Sequence, residues 1–134
     1  MKAIIQGTRY DTEKAVLIAE TDNLGDGAES VTDFAYWQAG LYKTPRSGRY
    51  FLAGRGGPMS TFAKSVGRSG WSGGEGIIPF EDERAAFAWA QDALSGRSVW
   101  TNEKAAEAIP GAVGRTAEGA DVIEHFFGHL IEDA

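Results

Sequence analysis

Cysteine is absent from the 134 residues. That excludes a disulfide scaffold, a thiolate metal site and a cysteine nucleophile. Proline is scarce, at four residues, and histidine scarcer still, at two. Long apolar runs are missing as well, and nothing approaches the ~20 residues a membrane-spanning helix needs. The opening Met1-Lys2-Ala3-Ile4-Ile5-Gln6-Gly7 turns polar too soon for a secretory leader, so the expected location is cytoplasmic. What is present suits one ordinary globular domain spanning residues 1–134, with 43% apolar residues and 15 aromatics to anchor a core.

Acidity is the most unevenly distributed property. Residues 34–74 contain no Asp or Glu, yet hold Lys43, Arg46, Arg49, Arg55, Lys64 and Arg68, a net of +6. The flanks 1–33 and 75–134 carry −4 and −8, which gives −6 overall. The basic stretch also holds eight of the 15 aromatics: Phe34, Tyr36, Trp37, Tyr42, Tyr50, Phe51, Phe62 and Trp71. Cations beside flat rings suit an anionic or stacking partner. The alternative is that the acidic C-terminal helices of the same chain neutralise the strip and it recruits nothing. A pI near 4.9 argues against duplex DNA, whose binders usually have a domain pI above about 9.

The order of patterns is strands first and helices after. It predicts an α+β fold: a small antiparallel, hairpin-rich sheet of four or five strands over residues 3–80, and helices over 81–134 packed on one face. Lys2 to Gln6 reads as a strand, Gly7-Thr8-Arg9 as a turn, and Asp11 as the cap of a brief helical turn. Val16 to Glu20 is expected to pair back on the first strand, before a polar loop over Thr21–Ser30. Phe34–Thr44 and Gly48–Ala53 form the clearest hairpin, joined by Thr44-Pro45-Arg46-Ser47-Gly48, with Tyr42 facing Tyr50. Gly54 to Gly76 has eight glycines in 23 residues, with a short helix expected at Met59–Val66. Ile77-Ile78-Pro79-Phe80 reads as a last strand that ends at the proline or lies at an edge. Glu81–Leu94 is an amphipathic helix with an acidic first turn and Ala86, Phe87, Ala90 and Leu94 on one stripe. Asn102–Ile109 is a short helix. Ala117–Glu132 is the final one, burying Val122, Ile123, Phe126, Phe127, Leu130 and Ile131.

Few residues carry recognisable chemistry. His125 and His129 stand at i and i+4, a zinc-chelating spacing, but Phe126 occupies the place where the zinc-protease pattern requires Glu. Unliganded surface histidines are the expectation, and no metal or cofactor is assigned. The glycine bursts match neither phosphate-loop pattern, and Pro58 removes a donor from one of them. They are read as letting the chain turn sharply around the sheet end, with anion binding by Arg55 and Arg68 as the alternative. Ser60, Ser65, Ser69 and Ser72 have no histidine nearby in sequence and no G-x-S-x-G context. Glu81-Asp82-Glu83 and Glu132-Asp133 sit at helix ends, where the dipole and solvent account for them. The chain is therefore expected not to be an enzyme.

The block from Tyr42 through Gly48-Arg49-Tyr50-Phe51-Leu52-Ala53-Gly54-Arg55-Gly56-Gly57-Pro58-Met59-Ser60 is continued by Trp71-Ser72-Gly73-Gly74-Glu75-Gly76-Ile77-Ile78-Pro79. An acidic-start helix with Trp89 follows, and Tyr10-Asp11-Thr12-Glu13-Lys14-Ala15 precedes. As a set, over about residues 3–94, these resemble a family of small proteins carried by bacterial prophages and conjugative elements; from Ser95 onward the chain looks like an extension. The resemblance implies a non-catalytic accessory protein that binds a host protein or ribonucleoprotein complex, as anti-CRISPR-type inhibitors of bacterial defence do. The expected contact is Arg46, Arg49, Tyr50, Arg55, Lys64, Arg68 and Trp71, cationic and aromatic anchors of the kind that dominate interface energies. A variant of this reading has the acidic C-terminal helices imitate phosphates instead. Two other classes remain open: a single-stranded nucleic-acid binder on the same strip, and a small metal-dependent enzyme centred on His125 and His129.

Overall fold

The computed structural model describes residues 1–134. It mixes α and β: a six-stranded antiparallel sheet, two small hairpins and three helices. In chain order the strands are β1 (Lys2–Ile5), β2 (Thr8–Asp11), β3 (Val16–Asp22), β4 (Trp37–Lys43), β5 (Tyr50–Gly56), β6 (Lys64–Val66), β7 (Gly70–Ser72) and β8 (Gly74–Pro79). Helix α1 (Glu83–Leu94), β9 (Ser98–Trp100), α2 (Glu103–Ala108), β10 (Thr116–Glu118) and α3 (Gly119–Phe127) follow, closed by a 3₁₀ turn at Gly128–Leu130. The sheet runs β10-β9-β3-β4-β5-β8. No helix is long and apolar enough to cross a membrane.

The β4–β5 hairpin forms as its composition predicts and lies inside the sheet between β3 and β8. Thr44 holds the turn by donating its N–H to the Arg49 carbonyl at 2.8 Å and accepting the Arg49 N–H on its hydroxyl at 2.9 Å. The register pairs Tyr42 with Phe51 and Lys43 with Tyr50, so the two tyrosines do not face each other. Strand side chains alternate between faces. Tyr42 therefore stacks on Phe51 (centroids 5.3 Å apart) on one face, while Tyr50 turns to the other and meets Phe127 at 5.3 Å.

On Tyr50's face, Ile18, Leu41 and Leu52 pack under Ala86, Ala90 and Leu94 of α1 and Val122 and Phe127 of α3. Alanines at i and i+4 let α1 lie close to the strands, and the expected stripe is the buried one. Asp82 caps α1, its carboxylate accepting the Ala85 N–H at 2.8 Å. On the opposite face a smaller cluster gathers Tyr10, Phe51 and Ala53 under the β1–β2 hairpin, with Tyr10 edge-on to Phe51 at 5.3 Å.

Several expectations are corrected. β1 pairs with β2 rather than β3, through a two-residue turn at Gln6-Gly7 with φ of +50° and +80°. That is the left-handed pair a type I′ hairpin needs, and it escaped notice because Gln stands where Asn or Asp usually signals it. Asp11 does accept the Glu13 N–H at 3.0 Å, but in a turn and not a helix. Residues 59–66 form no helix; their last three pair with Gly70–Ser72 as the β6–β7 hairpin. Residues 81–134 are not purely helical, because β9 and β10 return to the sheet and raise it to six strands. At three residues each, these strands are too short to show a period of two. The last helix is shorter than Ala117–Glu132: Ala117 belongs to β10, α3 ends at Phe127, and Ile131 is 43% exposed. Pro79 does end an edge strand.

Two substitutions test this packing in opposite directions. Gly119 opens α3 where a Cβ would collide with the Leu94 carbonyl at the end of α1. Gly119→Ala is expected to destabilise the protein by about 2 kcal/mol or more in urea titration, although alanine is the better helix former by about 1 kcal/mol. Gln6→Asn, which relieves a left-handed glutamine, is expected to raise stability by roughly 0.5 kcal/mol in the same assay.

Candidate functional site

β5 distributes the sequence-predicted contact residues between two ends of the sheet. Seven extended residues, Tyr50–Gly56, span about 20 Å. Arg46 and Arg49 sit at the turn before β5, whereas Arg55 lies at its far end. Lys64, Arg68 and Trp71 belong to the β6–β7 hairpin, joined to that far end where Gly73 and Gly74 press on Gly56 and the Phe62 carbonyl. Tyr50 leaves the set altogether: it is 3% exposed, and its ring and hydroxyl are both engaged in the interior.

The far end is built around close backbone approach. Gly57 N–H donates to the Tyr36 carbonyl and Met59 N–H to the Phe34 carbonyl, each at 2.8 Å, and a Cβ on Gly57 would collide with the Phe34 carbonyl. The glycine there serves chain packing, which brings two loops side by side rather than rounding a corner. Asn23 fixes the first loop, donating to the Ala35 carbonyl at 3.0 Å and accepting the Trp37 N–H at 2.8 Å. Asp33 accepts the Ala35 N–H at 2.9 Å and the Glu29 N–H at 3.3 Å, and these bonds hold its carboxyl below the ordinary value.

Those loops present Val31, Phe34 and Met59 at 64%, 65% and 73% exposure, and the β6–β7 hairpin adds Trp71 at 62%. A groove of about 610 Å³ lies among Val31, Tyr36, Arg55, Gly56, Gly57, Gly74 and Glu75. The structure's two ion pairs are Arg97 with Asp22 and His129 with Glu83, so none of the six bases in residues 34–74 makes an ion pair, although Lys43 stands near enough to Glu83 to favour its charged form and Arg55 is opposite Glu75. Glu103, Glu107, Glu124, Glu132 and Asp133 are all exposed.

At the other end, a cavity of about 640 Å³ opens between the β1–β2 hairpin, the β4–β5 turn and the start of α1. Arg49 crosses its edge and donates to the Thr8 hydroxyl at 3.0 Å. Beside it runs a chain of hydrogen bonds that the sequence did not disclose: the Tyr50 hydroxyl donates to Glu83 Oε2 at 3.0 Å, and Glu83 Oε1 meets His129 Nε2 at 2.9 Å. Burial, then the Glu83 contact, pushes the Tyr50 phenol well above its usual range. The His129 hydrogen bond holds the Glu83 carboxyl below its own. A tyrosine so held is a donor and not a base, and Glu83 has both oxygens occupied. The chain joins β5, α1 and the C-terminal 3₁₀ turn, which is a structural service. No group of three or more His, Asp or Glu side chains is placed to share a metal ion, and His129 is turned to Glu83 while His125 stacks edge-on against Phe126 at 4.8 Å.

Comparison with known proteins finds no matching family model, no matching curated protein and no matching solved structure. The resemblance to mobile-element accessory proteins therefore rests on the motifs alone.

The Glu83 chain carries a pH prediction. A carboxyl whose folded pKa is depressed contributes stability above its unfolded pKa and loses it as the pH falls through the folded one. The contribution of Glu83 is therefore complete above the ordinary value of 4.5 and declines below it. Thermal melts from pH 7 to pH 2.5 are expected to show a shallower acid loss in Glu83→Gln than in the parent, with the parent the more stable at pH 7.

Proposed function

We propose that the protein is a non-catalytic binding module whose contact surface is the glycine-rich end of the sheet, with a host protein or ribonucleoprotein complex as its partner. One observation carries this reading. Arg55, Lys64 and Arg68 make no ion pair, although Glu75 stands opposite Arg55, and they share this end of the sheet with Phe34, Met59 and Trp71, which are exposed. Large apolar side chains exposed together mark interaction sites, and Trp and Arg are the residues that most often carry interface energy. The unpaired cations make the matching surface acidic. Aliphatic Val31 and Met59 alongside the rings favour a protein surface over a run of stacked bases, as does Glu75 at the groove. Inhibition by stoichiometric capture is the activity such a surface supplies, in keeping with the accessory role the motifs imply.

The test compares two charge reversals in the full chain. Arg55→Glu with Lys64→Glu and Arg68→Glu is expected to abolish capture of the partner from a host lysate, and Trp71→Ala to weaken binding of the captured partner by about 2 kcal/mol or more in calorimetry. Arg46→Glu with Arg49→Glu, at the opposite end, is expected to leave capture intact. Loss in the second pair alone, or upon Glu-to-Lys changes in α3 alone, assigns the contact elsewhere. Fluorescence anisotropy of a single-stranded oligonucleotide that rises at low salt and falls steeply with added salt would favour the nucleic-acid reading instead.

A further inference from the structure

Along an antiparallel strand, backbone N–H and C=O groups point to alternate sides. Phe80 N–H donates to the Tyr50 carbonyl at 2.9 Å, and the register then pairs Ile78 with Leu52, Gly76 with Gly54 and Gly74 with Gly56. Those residues direct their backbone groups to β5. Glu75, Ile77 and Pro79 fall between them, and theirs point outward, where β8 has no neighbouring strand. Glu75 and Ile77 offer both N–H and C=O; Pro79 offers only C=O, which ends the row of donors.

This free edge carries a cation on one face and a carboxylate on the other. Gly74 and Gly76 have no side chain on the face where Lys64 lies, so its stem runs against the strand and its Nζ stands 3.5 Å from where a Gly76 Cβ would be. Arg55 is opposite Glu75 in the β5–β8 pair, so both side chains project on the other face, with Glu75 between Arg55 and the edge. Neither cation is in an ion pair. Long exposed edges are normally blunted by charge, proline or cover. Here Pro79 blunts one end of β8, and the end beside Lys64 and Arg55 stays open.

The geometry points to strand addition: an extended segment of the partner protein, with a carboxylate placed to face Lys64, lies along β8 and bonds the outward groups of Glu75 and Ile77. A carboxylate on that segment faces Lys64, while the residue beside it turns to the other face, meets Glu75 and is therefore uncharged or basic. In this mode main-chain bonds give affinity and the flanking side chains give selectivity. The inference rests on the binding surface proposed above and specifies the form of what it binds.

The experiment is amide exchange by NMR on the full ¹⁵N-labelled chain. The probe is a capped peptide of threonine and valine with one glutamate at its centre; the controls are its lysine counterpart and a single-stranded oligothymidylate. Strand addition requires exchange at Glu75 and Ile77 to slow more than about tenfold with the glutamate peptide and with neither control. Glu75→Pro removes an outward N–H without touching the bonds to β5, and is expected to lose the peptide, whereas Glu75→Gln keeps it. Equal binding by those two variants, or no protection with millimolar glutamate peptide, overturns strand addition. So does protection by the oligothymidylate in place of the peptide. A thermal melt checks that Glu75→Pro folds, and if it does not, protection in the parent chain decides. Partner capture that survives Glu75→Pro but not the reversal of Arg55, Lys64 and Arg68 leaves the surface standing and removes strand addition. Capture indifferent to both removes the surface itself.

Discussion

The alternation of side chains along β5 is the constraint on which the rest of the structure depends. Tyr50 and Phe51 are neighbours in sequence and point to opposite faces, and each founds a separate cluster. Tyr50 faces the helices, where Phe127 and Glu83 receive it. Phe51, fully buried, supports Tyr42 and the β1–β2 hairpin. Slipping the register by one residue would exchange these roles, burying Arg55 or Arg49 and exposing Leu52. That cost specifies the hairpin and, with it, which end of the sheet displays the cations.

The same alternation explains how much of the fold the sequence discloses. Where an element is long enough to repeat its period, the reading holds to within three residues at each end: β4 starts at Trp37 and not Phe34, β5 runs through Gly56 and not only to Ala53, and Asp82 caps α1 one residue inside the expected start. Where an element is three or four residues long, the period cannot declare itself and long-range pairing decides. β9 and β10 exist because the sheet offers Val99 and Ala117 a place against the helices. β6 and β7 exist because they pair with each other across Gly67, which takes a φ of +63°.

The functional surface was legible in composition and illegible in geometry. A count of carboxylates is enough to mark residues 34–74 as basic, yet it cannot say that the length of β5 divides Arg46 and Arg49 from Arg55. Nor can it say that Tyr50 is consumed by the core. The Tyr50–Glu83–His129 chain was invisible for a related reason: its links join residues 33 and 46 positions apart, and no local pattern spans such separations. Phe34 and Met59 were in view only as members of a composition. Their pairing follows from the Met59 N–H bonded to the Phe34 carbonyl, a contact set by glycine at position 57.

Charge segregation in a chain of net −6 needs a physical account of its own. Opposite charges on one small domain attract, and flexible arginine and lysine side chains reach several ångströms, so self-neutralisation is the default. The architecture prevents it by distance. Lys64 and Arg68 sit on the β6–β7 hairpin at the end of the sheet where the strands are tied by glycine, while the acids of α2 and α3 follow β9 and β10 at the sheet's opposite edge; Arg55 alone of the three has an acid, Glu75, opposite it. Arg97 shows what happens without that separation: placed on the return to the sheet, it is held by Asp22 at 3.0 Å and by the Leu24 carbonyl at 3.0 Å. A cation in reach of an acid is used to fix a loop. The cations out of reach remain available, and the strand order, more than the amino-acid count, decides which are which.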